Sequence, residues 1–105
     1  MTGDTSRPPL AAARNLLQEQ ATCTLATASD EGVPEAATVR FVADEELDLY
    51  LTTQATARKY ENLTENPAVA VVVDGGQLNL QLEGTATEVH GERAAAVRRR
   101  YVRKY

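Results

Sequence analysis

The segment Thr52-Thr53-Gln54-Ala55-Thr56-Ala57-Arg58-Lys59 joins a stretch of strand-like alternation to a helix-like one and carries the strongest chemical signal in the chain. At such a junction the first N–H groups of the helix, together with the positive end of its dipole, favour an anion. Arg58 adds a planar fork that matches phosphate oxygens, and Lys59 adds a mobile point charge. The pair suits a phosphomonoester tail. The same side chains would also serve as solvent-exposed helix bases pairing with Glu61 or Asn62, an arrangement worth only ~0 to 1 kcal/mol. Charge distribution favours the phosphate. Between residues 21 and 90 the only bases are Arg40, Arg58 and Lys59, so two of three stand at one helix start. The third falls on the outward face of a strand, from which it is expected to converge on the other two.

Other chemistry is thin. The single histidine, His90, has no recognisable Ser or Cys nucleophile to work with, and there is no Gly-rich phosphate loop, HExxH or EF-hand pattern. Triad hydrolysis is therefore not expected, and any chemistry would come from a bound cofactor. Cys23 alternates with Leu25 and reads as a buried thiol; as the only cysteine it excludes an internal disulfide and a multi-thiolate zinc site. His90 reads as a cap or surface group, and Tyr50 and Tyr60 as packing residues with wet hydroxyls.

These residues must be positioned by a short series of elements. Leu10, Ala13, Leu16 and Leu17 predict an amphipathic helix over 10–20. Thr22 to Ala28 predicts a strand, closed by the turn cluster Ser29-Asp30-Glu31-Gly32. A second strand is expected over 35–43, with Ala37, Val39 and Phe41 on one face and Arg40 on the other. Leu47, Leu49 and Leu51 alternate as a third, completing a meander. Thr56 is the expected N-cap of a helix ending at Asn66-Pro67. Ala68 to Val73 and Gln77 to Val89 predict a hairpin around Asp74-Gly75-Gly76, with Gly84 marking a bulge or bend. Residues 91–105 predict a helix whose Ala94, Val97, Tyr101 and Tyr105 share a stripe. This pattern favours a small antiparallel barrel over a doubly wound sheet, in the α+β class with a mainly β core. One domain is expected: a tail and helix to residue 20, a barrel over 21–90 with its helix at 56–65, and a basic helix over 91–105.

The net charge of −4 over 105 residues conceals a division. Residues 1–90 hold five bases and fourteen acids, a net −9, whereas residues 91–105 hold six bases and one acid, a net +5. An acidic body repels nucleic acid, so such binding would fall to the last fifteen residues. With no aromatic platform beside the arginines, that role is not expected; they read as a solvated face attracted to the acidic body or to a second subunit. No apolar run suffices to span a bilayer, and Met1 to Pro9 carries no secretory pattern, so no membrane role and a cytoplasmic setting are expected.

Taken in order, Thr24-Leu25-Ala26-Thr27, Gly32-Val33-Pro34, Leu49-Tyr50-Leu51-Thr52-Thr53, Ala57-Arg58-Lys59, Asn62-Leu63, Asn66-Pro67 and Leu82-Glu83-Gly84-Thr85-Ala86 resemble the FMN-binding split barrels related to pyridoxamine 5'-phosphate oxidase. The resemblance runs through most of residues 13–105. It implies a six-stranded split β-barrel with flanking helices, a homodimer, and FMN in the cleft between subunits. By the same resemblance, Arg58 and Lys59 match the positions that bind the flavin phosphate, and Thr52 and Thr53 the strand end beside the phosphate and ribityl chain. Val39, Arg40 and Phe41 correspond to the strand along the isoalloxazine ring, and Asn79 or Gln81 to a side-chain amide contact from the paired subunit. Relatives usually continue past the position of Tyr105 into a further strand, and this chain lacks the segment that holds substrate in the oxidase itself. The expectation is thus a small FMN-dependent oxidoreductase acting on a small-molecule substrate that the sequence does not name, pyridoxamine phosphate being disfavoured, with Tyr101 and Tyr105 left uncovered. The smaller relatives also include deazaflavin reductases and haem-handling proteins, so a deazaflavin- or haem-binding module, or a cofactor-free dimerisation barrel, is the alternative.

Overall fold

The computed structural model describes residues 10–54 and 56–105; the polar start Met1 to Pro9, and Ala55 within the segment from Thr52 to Lys59, lie outside the described residues. Helix α1 (Leu10–Glu19) buries Ala13, Leu16 and Leu17 of the stripe its periodicity predicts, while Leu10, at its first position, is exposed. It is followed by β1 (Thr22–Ala28), β2 (Pro34–Arg40), β3 (Val42–Ala43), β4 (Leu49–Tyr50), α2 (Arg58–Glu65), β5 (Ala68–Asp74), β6 (Asn79–Thr85) and α3 (Gly91–Lys104). The β1–β2 turn is set by Ser29, whose Oγ accepts the N–H groups of Val33 and Glu31 at 3.0 and 3.3 Å, with Gly32 at φ +84° completing it.

Four strands form one antiparallel sheet in the order β2-β1-β5-β6, and β3 and β4 pair separately as a two-stranded ribbon. Alternation divides the sheet into two faces. Cys23, Leu25, Thr27, Val71, Val73 and Leu80 point to the core, where Phe41 and Leu17 are fully enclosed and α1 packs. The other face carries two transverse rows. The first is Thr38, Thr24, Val72 and Gln81, and the second is Ala36, Ala26, Ala70 and Glu83. Both rows are exposed or half-buried, and none of the described residues is laid over them.

The α+β split-barrel class follows expectation, but several local expectations do not. The strand expected over 35–43 breaks at Phe41. Up to Arg40 it pairs with β1, and from Val42 it pairs with β4, so Phe41, Val42 and Ala43 are all buried where alternation predicted one exposed residue. The meander is therefore interrupted: the chain leaves the sheet after β2 and returns only with β5. Leu47 begins no strand. It adopts a left-handed conformation, φ +67°, in a turn held by Asp44, whose Oδ1 accepts the N–H groups of Glu46 and Asp48 at 3.0 Å each. Gly84 sits in unbroken register opposite Val69, without a bulge, and β6 ends at Thr85 because its partner β5 begins at Ala68. The stripe of Tyr101 and Tyr105 is not bare, since both hydroxyls reach backbone carbonyls of the barrel.

Candidate functional site

The position of α2 is fixed from beneath. Asn62, on its inner face, donates from Nδ2 to Thr27 Oγ1 at 3.1 Å, and both side chains are buried. Asn66, at the C-cap, donates to the Ser29 carbonyl at 3.4 Å. An amide in a two-turn helix is retained here because the hydroxyl opposite would otherwise be buried unpartnered. The N-cap falls at Ala57 rather than at Thr56; alanine offers no side-chain acceptor, so the first turn of α2 has no side-chain cap. Arg58 and Lys59 are its first two residues.

Arg58 extends over the sheet to Glu35 at the start of β2, with Nε 3.6 Å from Oε2; the arginine side chain remains 73% exposed. Neither Glu61 nor Asn62 takes that charge. Lys59 is half-buried and makes no ion pair among the described residues. Thr52 and Thr53 lie in the irregular passage between β4 and α2, and Thr53 donates from Oγ1 to the Gln54 carbonyl at 3.5 Å.

The remaining expected residues stand elsewhere. Arg40 is exposed, with its guanidinium 5.1 Å from the centroid of the Tyr105 ring. Five residues separate it from Glu35, roughly 17 Å of strand, and it belongs to the opposite face of β2, so the structure does not bring it to Arg58 and Lys59. Val39 faces the core side. Phe41 is fully buried, and its backbone is occupied: its N–H donates to Tyr105 Oη at 3.1 Å, and its carbonyl accepts from Tyr105 Oη at 2.6 Å and from Lys104 Nζ at 3.0 Å. Asn79 and Gln81 lie on the uncovered sheet face. That is the face of Arg40, about 14 Å away across three strand spacings. One chain thus presents two separate groups: the cations at the start of α2, and a flat face of small side chains edged by Arg40, Asn79 and Gln81.

Cys23 is buried, and burial pushes its thiol up, against the opposing pull of Lys104. His90 is exposed at the N-cap position of α3, 3.9 Å from Glu88. The attraction of the arginine run to the acidic body is only partly realised. Arg93 approaches Asp48 at 3.8 Å and donates to Tyr50 Oη at 2.9 Å, and Arg100 donates to the Ala43 carbonyl at 3.4 Å. Arg98, Arg99 and Arg103 make no ion pair among the described residues.

Sequence reasoning overlooked three participants. Glu35 is the counter-charge of Arg58. Asp44 holds Tyr50 through a 2.8 Å hydrogen bond, and its carboxyl is kept below the usual range, burial being outweighed by the hydrogen bonds of Tyr50, Asp48 and Glu46. Tyr101 is the third. Its hydroxyl lies 3.1 Å from the carbonyls of both Arg40 and Tyr50, which are 61 and 51 residues away, and no local pattern encodes such contacts.

Residues 10–105 match the family described as pyridoxamine 5'-phosphate oxidase. Among solved structures, the haem storage protein HutZ from Vibrio cholerae superposes with a TM-score of 0.77 at 22% identity, over 91% of this chain and 75% of that one. A haem-binding protein from Mycobacterium smegmatis does so with 0.77 at 25% identity, over 94% and 44%. An F420 reductase does so with 0.67 at 26% identity, over 85% and 75%. A search of curated proteins found no match.

Proposed function

The chain belongs to the pyridoxamine 5'-phosphate oxidase family, and from that premise we propose that it is a homodimeric FMN-binding oxidoreductase acting on a small-molecule substrate. The observation that carries this reading is the start of α2: two adjacent cations, Arg58 and Lys59, on a first turn without a side-chain cap, entered from Thr52 and Thr53. The donor set fits a phosphate, because an arginine fork, an ammonium and a helix N-terminus all favour a dianion. FMN, when bound, supplies the electron and hydride chemistry.

The chain's own residues bind and orient. Arg58 leaves Glu35 to reach the phosphate, Lys59 adds the second charge, and Thr52 and Thr53 offer hydroxyls to the chain that follows. Asn79 and Gln81 lie far from these groups within one chain, which supports a site completed by a second copy. The uncovered rows of Thr38, Thr24, Val72 and Gln81 and of Ala36, Ala26, Ala70 and Glu83 are the face through which that copy would pack, their small side chains permitting close approach. Titrating the purified protein with FMN and with riboflavin, while following flavin fluorescence, tests the reading: tight FMN binding with much weaker riboflavin binding supports it, and absence of FMN binding refutes it.

Haem binding is the second reading, favoured by the likeness to HutZ and to the M. smegmatis protein. His90 would then be the available imidazole. A shift and sharpening of the haemin absorption band in the presence of the protein, abolished in His90→Ala, would replace the flavin reading.

A further inference from the structure

The ladder between β3 and β4 pairs Val42 with Tyr50 and Ala43 with Leu49. Extended by two residues, that register would set Arg40 opposite Thr52, but no ladder forms there. β2 has turned to pair Arg40 with Thr22 of β1, and the chain after Tyr50 runs on toward α2. The carbonyls of Arg40 and Tyr50 both come within reach of α3. The Tyr101 hydroxyl of α3 stands 3.1 Å from each carbonyl, and Thr52 is also among its hydrogen-bond partners. Its ring is stacked on Tyr105 at 5.6 Å between centroids. Tyr105 Oη is bound in turn to the carbonyls of Ala21 and Phe41, so the stack is anchored to the start of β1 and to the break after β2.

We propose that Tyr101 is a positioning residue for the cofactor site. By bridging the fork where the two sheets separate, it sets the distance between Arg40 and the Thr52-Thr53 passage that leads to Arg58. The inference rests on the FMN reading for its ligand but not for its geometry. One hydroxyl, its single proton shared between the two carbonyls, links two strand ends that have no backbone ladder between them, and a phenylalanine in its place would keep the ring and the stack while removing that link.

The experiment is Tyr101→Phe beside Tyr105→Phe in the full chain, with two readouts. Hydrogen exchange of the ligand-free protein is expected to show faster exchange over residues 51–54 in Tyr101→Phe and not in Tyr105→Phe. FMN titration is expected to show about tenfold weaker binding for Tyr101→Phe, the effect of one lost hydrogen-bonding group, with an altered visible circular dichroism of the bound flavin. Tyr105→Phe is expected instead to quicken exchange at Phe41, whose N–H donates to Tyr105 Oη. Unchanged exchange over 51–54 in Tyr101→Phe overturns the proposal. So does unchanged FMN affinity in that variant when the wild type binds FMN. A wild type that binds no FMN, while exchange still quickens in Tyr101→Phe, refutes the flavin reading and leaves the bridging role supported.

Discussion

Asn62 and Thr27 are joined by a buried 3.1 Å hydrogen bond that ties the helix carrying Arg58 and Lys59 to the central strand of the sheet. Removing one partner leaves the other buried without a bond, which costs about 1 to 3 kcal/mol, whereas removing both costs less than the two single losses combined. Asn62→Ala and Thr27→Val should each lower the unfolding free energy obtained from urea titration by that order, and the double variant should show a favourable coupling. Strict additivity would mean that the bond contributes nothing.

The phosphate assignment makes a selective prediction. Arg58→Ala and Lys59→Ala should weaken FMN by about tenfold or more, as expected for a lost charge-assisted contact, and riboflavin hardly at all. Glu35→Gln should act in the opposite direction, because Arg58 would no longer leave a carboxylate 3.6 Å away in order to bind. A few-fold gain, shrinking as salt is added, is the expected size for so exposed a pair. Equal losses for FMN and riboflavin in the alanine variants would remove the assignment.

Much of this arrangement is visible in the sequence, and the parts that are not share one cause. The buried stripe of α1, the alternation of β1 and β5, and the concentration of Arg58 and Lys59 at a helix start are local patterns, and local patterns persist in the fold. What escaped depends on which segment lies opposite. Phe41 continues the alternation of β2 but marks a change of partner from β1 to β4, and period-two reasoning has no term for a strand that changes sheets. Thr56 has the right chemistry for an N-cap, yet the cap falls one residue later at Ala57 and the helix begins at Arg58. Tyr101 and Tyr105 read as an apolar stripe, whereas their hydroxyls are satisfied by carbonyls fifty to eighty-four residues distant. Glu35 and Arg58 are one ion pair that only the tertiary fold assembles.

If the uncovered sheet face is a subunit interface, a charge at its centre should separate the subunits. Val72 is 37% exposed and lies between Thr24 and Gln81 in the transverse row. Val72→Glu should leave the monomer folded, since the side chain points away from the core, and should shift sedimentation from dimer to monomer. Burying an unpaired carboxylate in such an interface is prohibitive. A variant that sediments as the wild type does would place the interface elsewhere.

Two glycines distinguish packing from permissiveness. A Cβ on Gly75 would stand 2.8 Å from the Leu78 carbonyl oxygen and run into the Leu16 side chain, so Gly75→Ala should destabilise by about 1 to 3 kcal/mol. Gly84 has open space around it at an ordinary strand register, so Gly84→Ala should be neutral or stabilising by up to about 1 kcal/mol. Thermal melts of the two variants read the contrast directly. A destabilising Gly84→Ala would mean that the end of β6 where it stands is covered in the protein's working form.

Alkaline pH offers a separate test of the Tyr101 contact. Burial, followed by the neighbouring Tyr105, pushes the Tyr101 phenol up from an ordinary 10 to about 12. Between those values the unfolded chain has given up a proton that the folded chain keeps, so the folded state binds more protons and its stability falls as pH rises. Below pH 10 the contribution is complete. The Cys23 thiol, also raised by burial, acts in the same direction from its ordinary 9 upward. Lys104 acts oppositely: burial lowers it below 10.5, so the cost of its buried charge is relieved as pH climbs toward that value. The Tyr101 part is therefore isolated by difference. Urea midpoints of wild type and Tyr101→Phe measured from pH 9 to 11.5 should converge as pH rises, because the phenylalanine variant lacks the group whose retained proton is lost. Parallel declines would show that Tyr101 titrates as it does in the unfolded chain, with its hydroxyl in water rather than between Arg40 and Tyr50.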